Sequence, residues 1–205
     1  FFQNELPYDP PSQAAWSRPG GVRGYPALAV SPKVKAFSMT GAGSYSFFNQ
    51  GLDIFADNAF EQKVSFWEAK FRCWADLKGC EFKAEADFRS VHCGQGFVLS
   101  KSTFRSDFLF RGSSVPKKFS ADGSRFEMAL DLSKAKLPDF CYLEGIESGP
   151  DMRFAFLNAV AERILVNPAQ LAGRLASEVE GRPADAMHEY GTLKKSYDFQ
   201  ELLTL

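Results

Sequence analysis

The chain has 205 residues, 45% hydrophobic and 24% charged, the balance of an ordinary soluble domain. Its formal net charge of −1 excludes a strong overall field that would attract nucleic acid or an anionic membrane. No apolar run reaches the ~18 residues of a membrane-spanning helix. Composition is unusual in one respect: 21 Phe residues stand against 6 Tyr and 3 Trp, which indicates one packing environment used many times.

Residues 1–54 are predicted to form an extended arm and an N-terminal cap. Pro and Gly are concentrated in roughly the first 35 residues, without apolar periodicity, as is typical of extended segments. Residues 36–54 are expected to cap the region that follows. Because the chain begins at Phe1 and not at Met, we expect either a processed organellar or secreted chain or a fragment, soluble but of undetermined compartment.

A repeat begins at Phe55. Large apolar residues recur at spacings that alternate between five and six, so the repeat has eleven residues. The series is Phe55, Phe60, Phe66, Phe71, Leu77, Phe82, Phe88, Cys93, Leu99, Phe104, Phe110, Val115, Ala121, Phe126, Leu132, Leu137 and Leu143. A second, mostly small or apolar series lies two residues before these positions, on the same side of an extended chain. Each unit is therefore predicted to be a very short strand with two inward side chains, followed by a polar corner.

Two other structures have the same period. Eleven residues also fit three turns of a helix, but the glycines of the segment and Pro116 argue against a continuous helix. An antiparallel meander stays open as an alternative, although it requires unusually short strands of three residues.

Units such as Ala75-Asp76-Leu77-Lys78-Gly79 and Ala86-Asp87-Phe88-Arg89-Ser90 resemble the A-(D/N)-(L/F)-x-x unit of the pentapeptide-repeat family. The alternating spacing is similar to a Phe-rich branch of that family. The resemblance covers about 90 residues and weakens after Val115. It implies a mainly β fold, a short right-handed quadrilateral parallel β-helix of about four coils over residues 55–160. The residues that follow, 161–205, are predicted to form a helical C-terminal tail.

Four such units span 22 residues, so side chains 22 apart should stack in columns. One predicted column consists of Phe60, Phe82, Phe104 and Phe126, and a second of Phe66, Phe88, Phe110, Leu132 and Phe154. Phe97 and Phe108 are large for their positions, and irregular coils are expected there. Cys80, Cys93 and Cys141 are expected to be buried fillers.

The tail is predicted to cover the open end of the column. The last coil is expected to reach Ala159 and to end before Arg163. Asn167 and Pro168 are typical of a helix start, and Gly181 is typical of its end. Further helices are expected after Pro183 and over residues 193–203.

No catalytic site, cofactor or metal is predicted. The four cysteines form no CxxC pair and there are only two histidines. His92 is expected to point outwards while Cys93 points inwards, which opposes a Cys–His nucleophile. Asp76, Glu81 and Asp87 occupy the same outward position in successive units. They are interpreted as a salt-bridged wall, not as a glycosidase carboxylate pair.

The expected function is that of a non-catalytic scaffold, an accessory subunit that binds other proteins. Candidate partner-binding residues are two tryptophans and two short cationic ladders: Trp67, Trp74, Lys83, Arg89, Arg105 and Arg111. A DNA-mimic or anion- and nucleic-acid-binding role is the first alternative, although a strong charge excess is missing. Carbohydrate is the second, because residues Gly41–Glu61 resemble a segment of secreted β-helical polysaccharide-degrading proteins.

Overall fold

The structure, a computed structural model, describes residues 59–71, 74–138, 140–161 and 163–203, and the backbone of three short strands before them. Over these residues the chain winds into a right-handed parallel β-solenoid of about five turns, followed by helices. The mainly β solenoid class is thereby confirmed, with about one turn more than expected. Apart from the three strands, the predicted arm and cap lie outside the described residues, as do Phe55 and Cys73.

The column has four faces, each a ladder of parallel strands. Face 1 consists of β1 (Lys33–Val34), β4 (Ala59–Phe60), β8 (Glu81–Phe82), β12 (Thr103–Phe104), β15 (Arg125–Phe126) and β18 (Glu147–Ser148). Face 2 consists of β2 (Phe37–Ser38), β5 (Val64–Ser65), β9 (Ala86–Asp87), β13 (Phe108–Leu109), β16 (Ala129–Asp131) and β19 (Arg153–Ala155).

The other two faces close the square. Face 3 consists of β3 (Ser46–Phe47), β6 (Lys70–Phe71) and β10 (His92–Cys93), and single bridges continue it through Ser114, Lys136 and Val160. Face 4 consists of β7 (Ala75–Asp76), β11 (Gly96–Val98), β14 (Lys118–Ser120), β17 (Cys141–Tyr142) and β20 (Ile164–Leu165). The solenoid thus continues past residue 160 and past Arg163.

The 22-residue register is confirmed. Phe82 pairs with Phe60 on one side and with Phe104 on the other. Both predicted inward series are buried wherever they are described, including Cys80, Cys93 and Cys141. Since these two series fill the interior from Phe60 to Leu143, the apolar pattern determines which side of each short strand faces inwards there.

Later in the chain the spacing lengthens, and the predicted stacking of Phe154 above Leu132 is wrong. Phe154 pairs with Leu130, 24 residues earlier, and the next inward residue is Phe156. The corner between β18 and β19 has four residues, 149–152, where the preceding coil has two, 127–128. The two extra residues lengthen the spacing to 24 on faces 2 and 3, and on face 4 Cys141 pairs with Ile164, 23 residues later.

The Phe column of face 1 is a continuous stack. The ring centroids of Phe60, Phe82, Phe104 and Phe126 are 4.6, 4.8 and 4.6 Å apart, with planes within 7° of parallel. These distances equal the spacing of adjacent strands, about 4.8 Å. The hydrogen-bonded backbone therefore places like rings in contact at every coil.

The second column is interrupted. Phe66 stacks on Phe88 at 4.8 Å, but the ring of Phe97 then enters from face 4, at 5.3 Å from Phe88 and 4.9 Å from Phe110. The irregular coil expected at Phe97 does not occur, because its strand keeps the register with both neighbouring coils. Small residues of the adjacent coil, such as Ala75, make room for the ring.

Tight corners explain why the spacing alternates. A positive φ recurs every eleven residues, at Glu68, Gly79, Ser90, Lys101, Gly112, Gly123 and Lys134. At these corners the chain closes a four-residue turn, as where the N–H of Ala69 donates to the carbonyl oxygen of Phe66 at 2.9 Å. Such a turn requires a left-handed residue at its third position. The five-residue gaps contain this turn, and the six-residue gaps contain the wider corner.

Buried serines join successive coils at the tight corners. The hydroxyl of Ser113 donates to the carbonyl oxygen of Phe88 at 2.7 Å and accepts from the N–H of Val91 at 2.9 Å. Ser102 and Ser124 make the equivalent bonds one half-turn before and after. Their hydroxyls satisfy backbone groups that the corner would otherwise leave buried without partners.

The helical tail differs from the prediction. Helix α1 (Pro168–Leu171) begins as expected, with the Asn167 side chain accepting from the N–H of Ala169 at 3.0 Å. The helix expected to run on to Gly181 breaks at Gly173, and Leu175 is extended and bridges to Phe154 on face 2. Helix α2 (Ala176–Val179) follows.

The two helices expected after Pro183 are one, α3 (Pro183–Leu203). It packs on the end of the solenoid through Ala186, Glu189 and Leu193. The carboxylate of Glu189 is buried, where it accepts from the N–H of Phe156 at 2.6 Å and from the hydroxyl of Ser177. Within the described residues, no helix is both long enough and apolar enough to cross a membrane.

Candidate functional site

The six candidate partner-binding residues do not form one surface. The register places Trp67, Arg89 and Arg111 in one column, on the corner between faces 2 and 3. Lys83 and Arg105 lie in another column beside face 1, and Trp74 lies at the edge of face 4. Since a face of the column separates each group from the next, no single compact ligand contacts them all.

The cations beside face 1 are bound to carboxylates. Lys83 lies 3.0 Å from Glu61, and Arg105 lies 2.9 Å from Glu81 and 3.0 Å from Glu127. Hydrogen bonding to Glu81 raises the pKa of the Arg105 guanidinium. Each of these two cations is therefore neutralised by carboxylates, and the column presents no cationic ladder to a phosphate backbone.

Arg89 is also paired. Its guanidinium donates to both carboxylate oxygens of Asp87, at 2.9 and 2.7 Å, and its N–H donates to the same carboxylate at 3.1 Å. Arg111, one coil further on, is exposed. It forms no ion pair within 4.0 Å with any carboxylate that the structure describes.

The residues considered for catalysis are kept apart. Asp76 lies on face 4, Glu81 on face 1 and Asp87 on face 2, so the three carboxylates diverge around the column. Cys93 points into the core, where burial raises the pKa of its thiol far above the ordinary value, and His92 points outwards, with Nδ1 3.0 Å from the carbonyl oxygen of Ser90. In the described part of the chain, no three His, Cys, Asp or Glu side chains are grouped as a metal site requires.

Face 4 carries an exposed aromatic patch, which we define as Lys118, Phe140, Tyr142 and Arg163. The rings of Phe140 and Tyr142 are nearly parallel, 14° apart in plane and 6.1 Å between centroids. The guanidinium of Arg163 lies 4.7 Å from the centre of the Phe140 ring, and the ammonium of Lys118 lies 5.1 Å from that of Tyr142. The patch thus combines two aromatic rings with two cations, an arrangement enriched at binding surfaces.

Exposure separates this patch from the rest of the solenoid wall. Phe140 is 39% exposed, although an apolar ring of this size is ordinarily buried. The outward positions adjacent to Tyr142 are Ser120, which is buried, and Leu165, which is half-buried; the half-buried Val98 lies one coil beyond Ser120. Among the described residues, the outer side of face 4 close to the two rings is therefore mainly apolar and cationic, whereas face 1 is a network of ion pairs.

Trp74 belongs to the same column as the patch, three coils away, about 14 Å at the strand spacing. Its indole ring lies directly on Gly96, where a Cβ would come within 2.2 Å of Cζ3. The glycine allows the indole to lie flat against the strand, half-buried. Trp67, in contrast, is 42% exposed and stands on another corner.

The sequence-based interpretation missed Phe140 and Tyr142. They flank the inward residue Cys141 and belong to neither of the two inward series. The signal is the same 22-residue spacing applied to outward positions: residues 74, 96, 118 and 140 form one column, and residues 98, 120 and 142 the next.

A curated exo-β-1,3-glucanase of Streptomyces sp. (strain SirexAA-E / ActE) is 41% identical to this chain over 64 residues. The matched part is 31% of this chain and 10% of the length of that enzyme. No protein-family model matches the chain, and no solved structure matches it.

Proposed function

We propose that this protein is a non-catalytic scaffold that binds another protein on face 4 of its solenoid, as an accessory subunit of a larger assembly. The aromatic patch carries the proposal. Aromatic and Arg side chains that are exposed together are the residue types that contribute most to protein–protein binding energy. The separation of the candidate nucleophile, acids and bases supports a binding role over an enzymatic one.

The charges of face 4 indicate the chemistry of the partner. Among the described residues of the strands of face 4, Lys118 and Arg163 border the rings, and the carboxylate of Asp76 lies at the far end beside Trp74. A partner segment that presents apolar side chains next to Asp or Glu complements this distribution, because its acids can pair with the ammonium of Lys118 at the edge of the rings.

The column supports this role mechanically. Hydrogen bonds between successive coils hold the strands of face 4 in register, so little ordering is needed on binding. The proposal extends to membership of the pentapeptide-repeat family, on the strength of the eleven-residue doublet and its left-handed corners.

Photo-crosslinking followed by binding measurements tests the proposal. A photoreactive phenylalanine analogue at Phe140 is expected to capture one protein in cells of the source organism, and the same analogue at Arg125 on face 1 serves as the control. The purified partner is then titrated with the wild-type chain and with Phe140→Ser/Tyr142→Ser. We expect a loss of affinity of at least tenfold for the double variant and none for Arg125→Gln. Equal affinity for all three chains would contradict the assignment of face 4.

A carbohydrate ligand is the second candidate. Parallel exposed rings such as Phe140 and Tyr142 also offer flat apolar surfaces for sugar rings, and the partial similarity to a β-1,3-glucanase favours a glucan. Affinity electrophoresis in laminarin, a soluble β-1,3-glucan, separates the two candidates. If laminarin retards the wild type and the Phe140→Ser/Tyr142→Ser variant is not retarded, face 4 binds glucan. That result would overturn the proposal of a protein partner.

Nucleic acid receives less support than either. The cationic column expected along Lys83 and Arg105 is neutralised by Glu61, Glu81 and Glu127. Non-specific nucleic-acid binding depends on unpaired cations that can replace the counterions of the phosphates.

A further inference from the structure

The helical tail completes the last coil with side chains at positions where the earlier coils use backbone. On face 1, the carbonyl oxygens of Cys80, Ser102 and Ser124 each accept from a backbone N–H of the next coil at 2.8 Å. The carbonyl oxygen of Ile146, which is next in this series, accepts instead from Nε2 of Gln170 in α1 at 2.6 Å. The Gln170 amide therefore takes the place of a backbone N–H of a following coil.

The same replacement occurs on face 2 with the opposite polarity. The N–H groups of Phe88, Phe110 and Leu132 donate to backbone carbonyl oxygens of the next coil at 2.7 to 2.8 Å. The N–H of Phe156, which is next in this column, donates to the carboxylate of Glu189 in α3 at 2.6 Å. A carboxylate oxygen therefore takes the place of a backbone carbonyl oxygen.

The last coil thus keeps the hydrogen-bonding polarity of an interior coil. Beneath the tail it is a sheet edge, which is a template for pairing with a further strand. A third side chain of the tail covers the same edge, because the guanidinium of Arg174 donates to the carbonyl oxygen of Gly149 at 3.1 Å. The tail ends the column by occupying the edge that the next coil would use.

This cover is weaker than a further coil would be. Within the described residues, Oε1 of Gln170 is buried without a hydrogen-bond partner, and the buried carboxylate of Glu189 makes no ion pair within 4.0 Å with a cation. Both features cost free energy. Helices α1 and α2 have four residues each and are too short to be stable away from the column. The tail is therefore a segment that can open locally while the solenoid stays folded.

We propose that the tail is a releasable stopper, and that the edge beneath it pairs with a second copy of this chain when the tail opens. The strands β1, β2 and β3 of a second copy match this edge, because they belong to faces 1, 2 and 3 and are parallel to the strands of every later coil. Such pairing is head-to-tail, and head-to-tail association that does not close into a ring gives assemblies of open-ended length. The closed tail prevents this association.

Sedimentation velocity and amide hydrogen exchange of the full chain test the stopper. The variant Gln170→Ala/Glu189→Ala removes two of its anchors, and circular dichroism confirms that the solenoid is folded. At low concentration we expect the amide of Phe156 to exchange roughly tenfold faster than in the wild type, because its acceptor has been removed. At high concentration we expect the variant to sediment faster than the wild type, and the same amide to become protected again by the second copy.

Two controls match this variant. Glu180→Ala removes a carboxylate of the same tail that pairs with Arg182 at the surface, and Glu189→Gln keeps an oxygen that accepts from the N–H of Phe156. Both are expected to behave as the wild type.

Three results for the folded double variant would overturn the proposal. The first is exchange of the Phe156 amide as slow as in the wild type at every concentration. The second is a sedimentation coefficient that stays equal to that of the wild type, and the third is association that leaves this amide unprotected. Because no residue of face 4 is changed and no partner protein is used, the result is independent of the function proposed for face 4.

Discussion

Asp87 lies in a less aqueous environment than the other carboxylates of the solenoid wall, with 3% of its surface exposed. Burial by itself acts to raise its pKa, but hydrogen bonds from the guanidinium and the N–H of Arg89 outweigh burial, so the pKa lies below the ordinary value. A folded-state pKa below the unfolded one means that the charged form stabilises the fold above the ordinary carboxyl pKa. This stabilisation is lost as the pH falls through the folded-state pKa.

Asp87→Asn is therefore expected to be less stable than the wild type at pH 7, by roughly 1–2 kcal/mol. The difference should narrow as the pH is lowered from about 5 towards 2, because the wild-type carboxylate becomes protonated over that range. Urea unfolding of both chains at a series of pH values measures this difference in the free energy of unfolding. Asp76→Asn serves as the comparison, because Asp76 on face 4 is less buried than Asp87. If the difference in stability between Asp87→Asn and the wild type does not change with pH, the charge of Asp87 is not the source of the stabilisation.

At the residue scale, the inward positions were predictable and the outward ones were not. The core accepts only apolar or small side chains, so inward residues such as Phe82 and Ala86 can be recognised from their regular spacing in the sequence. Outward residues such as Phe140 are under no such constraint. Their interactions depend on which side chains the neighbouring coils present, which becomes apparent only after the 22-residue register is applied to them.

At the scale of the elements, each two-residue strand is stable only through its neighbours. Isolated strands of this length form no stable sheet. In this column each one is fixed by hydrogen bonds to the coils on both sides, by stacked side chains inside, and by the serine hydroxyls at the corners. Stability is thus distributed over interfaces between adjacent coils.

Ser113→Ala tests the contribution of those corners. The substitution removes the acceptor for the N–H of Val91 and the donor to Phe88. We expect a decrease of about 1–3 kcal/mol in the free energy of unfolding, the usual cost of leaving buried polar groups without partners. Ser114→Ala, on the outer side of the same segment, should change it by less than about 0.5 kcal/mol. Equal effects of the two substitutions would show that the buried hydroxyl does not join the coils.

The helical tail shows where periodicity misleads. Leu171, Leu175 and Val179 are spaced as on one helix face, yet Leu175 is extended and Val179 is exposed. The backbone of Phe154 at the end of face 2 pairs with Leu175, and a left-handed Gly173 allows the chain to turn there. Tertiary pairing outweighs local helix propensity, and a single sequence carries little signal for that competition.

At the scale of the whole molecule, the faces of the solenoid differ in their outer side chains. Face 1 is closed by ion pairs, face 2 ends beneath the helical tail, and face 4 carries the aromatic patch. The winding of the column follows from the apolar repeat, since four units of alternating five and six residues close one turn. The partner of face 4 does not follow from it, because the outer side chains can vary without affecting the winding.

Hydroxyl-radical footprinting of the chain, free and in complex with its crosslinked partner, tests the central claim most directly. Exposed aromatic side chains report their own burial, and the chain offers an internal control in Trp67, exposed on a different corner. Binding on face 4 predicts that Phe140 and Tyr142 become protected while Trp67 keeps its reactivity. Protection of Trp67 with unchanged reactivity of Phe140 and Tyr142 would contradict the claim and assign binding to the corner between faces 2 and 3.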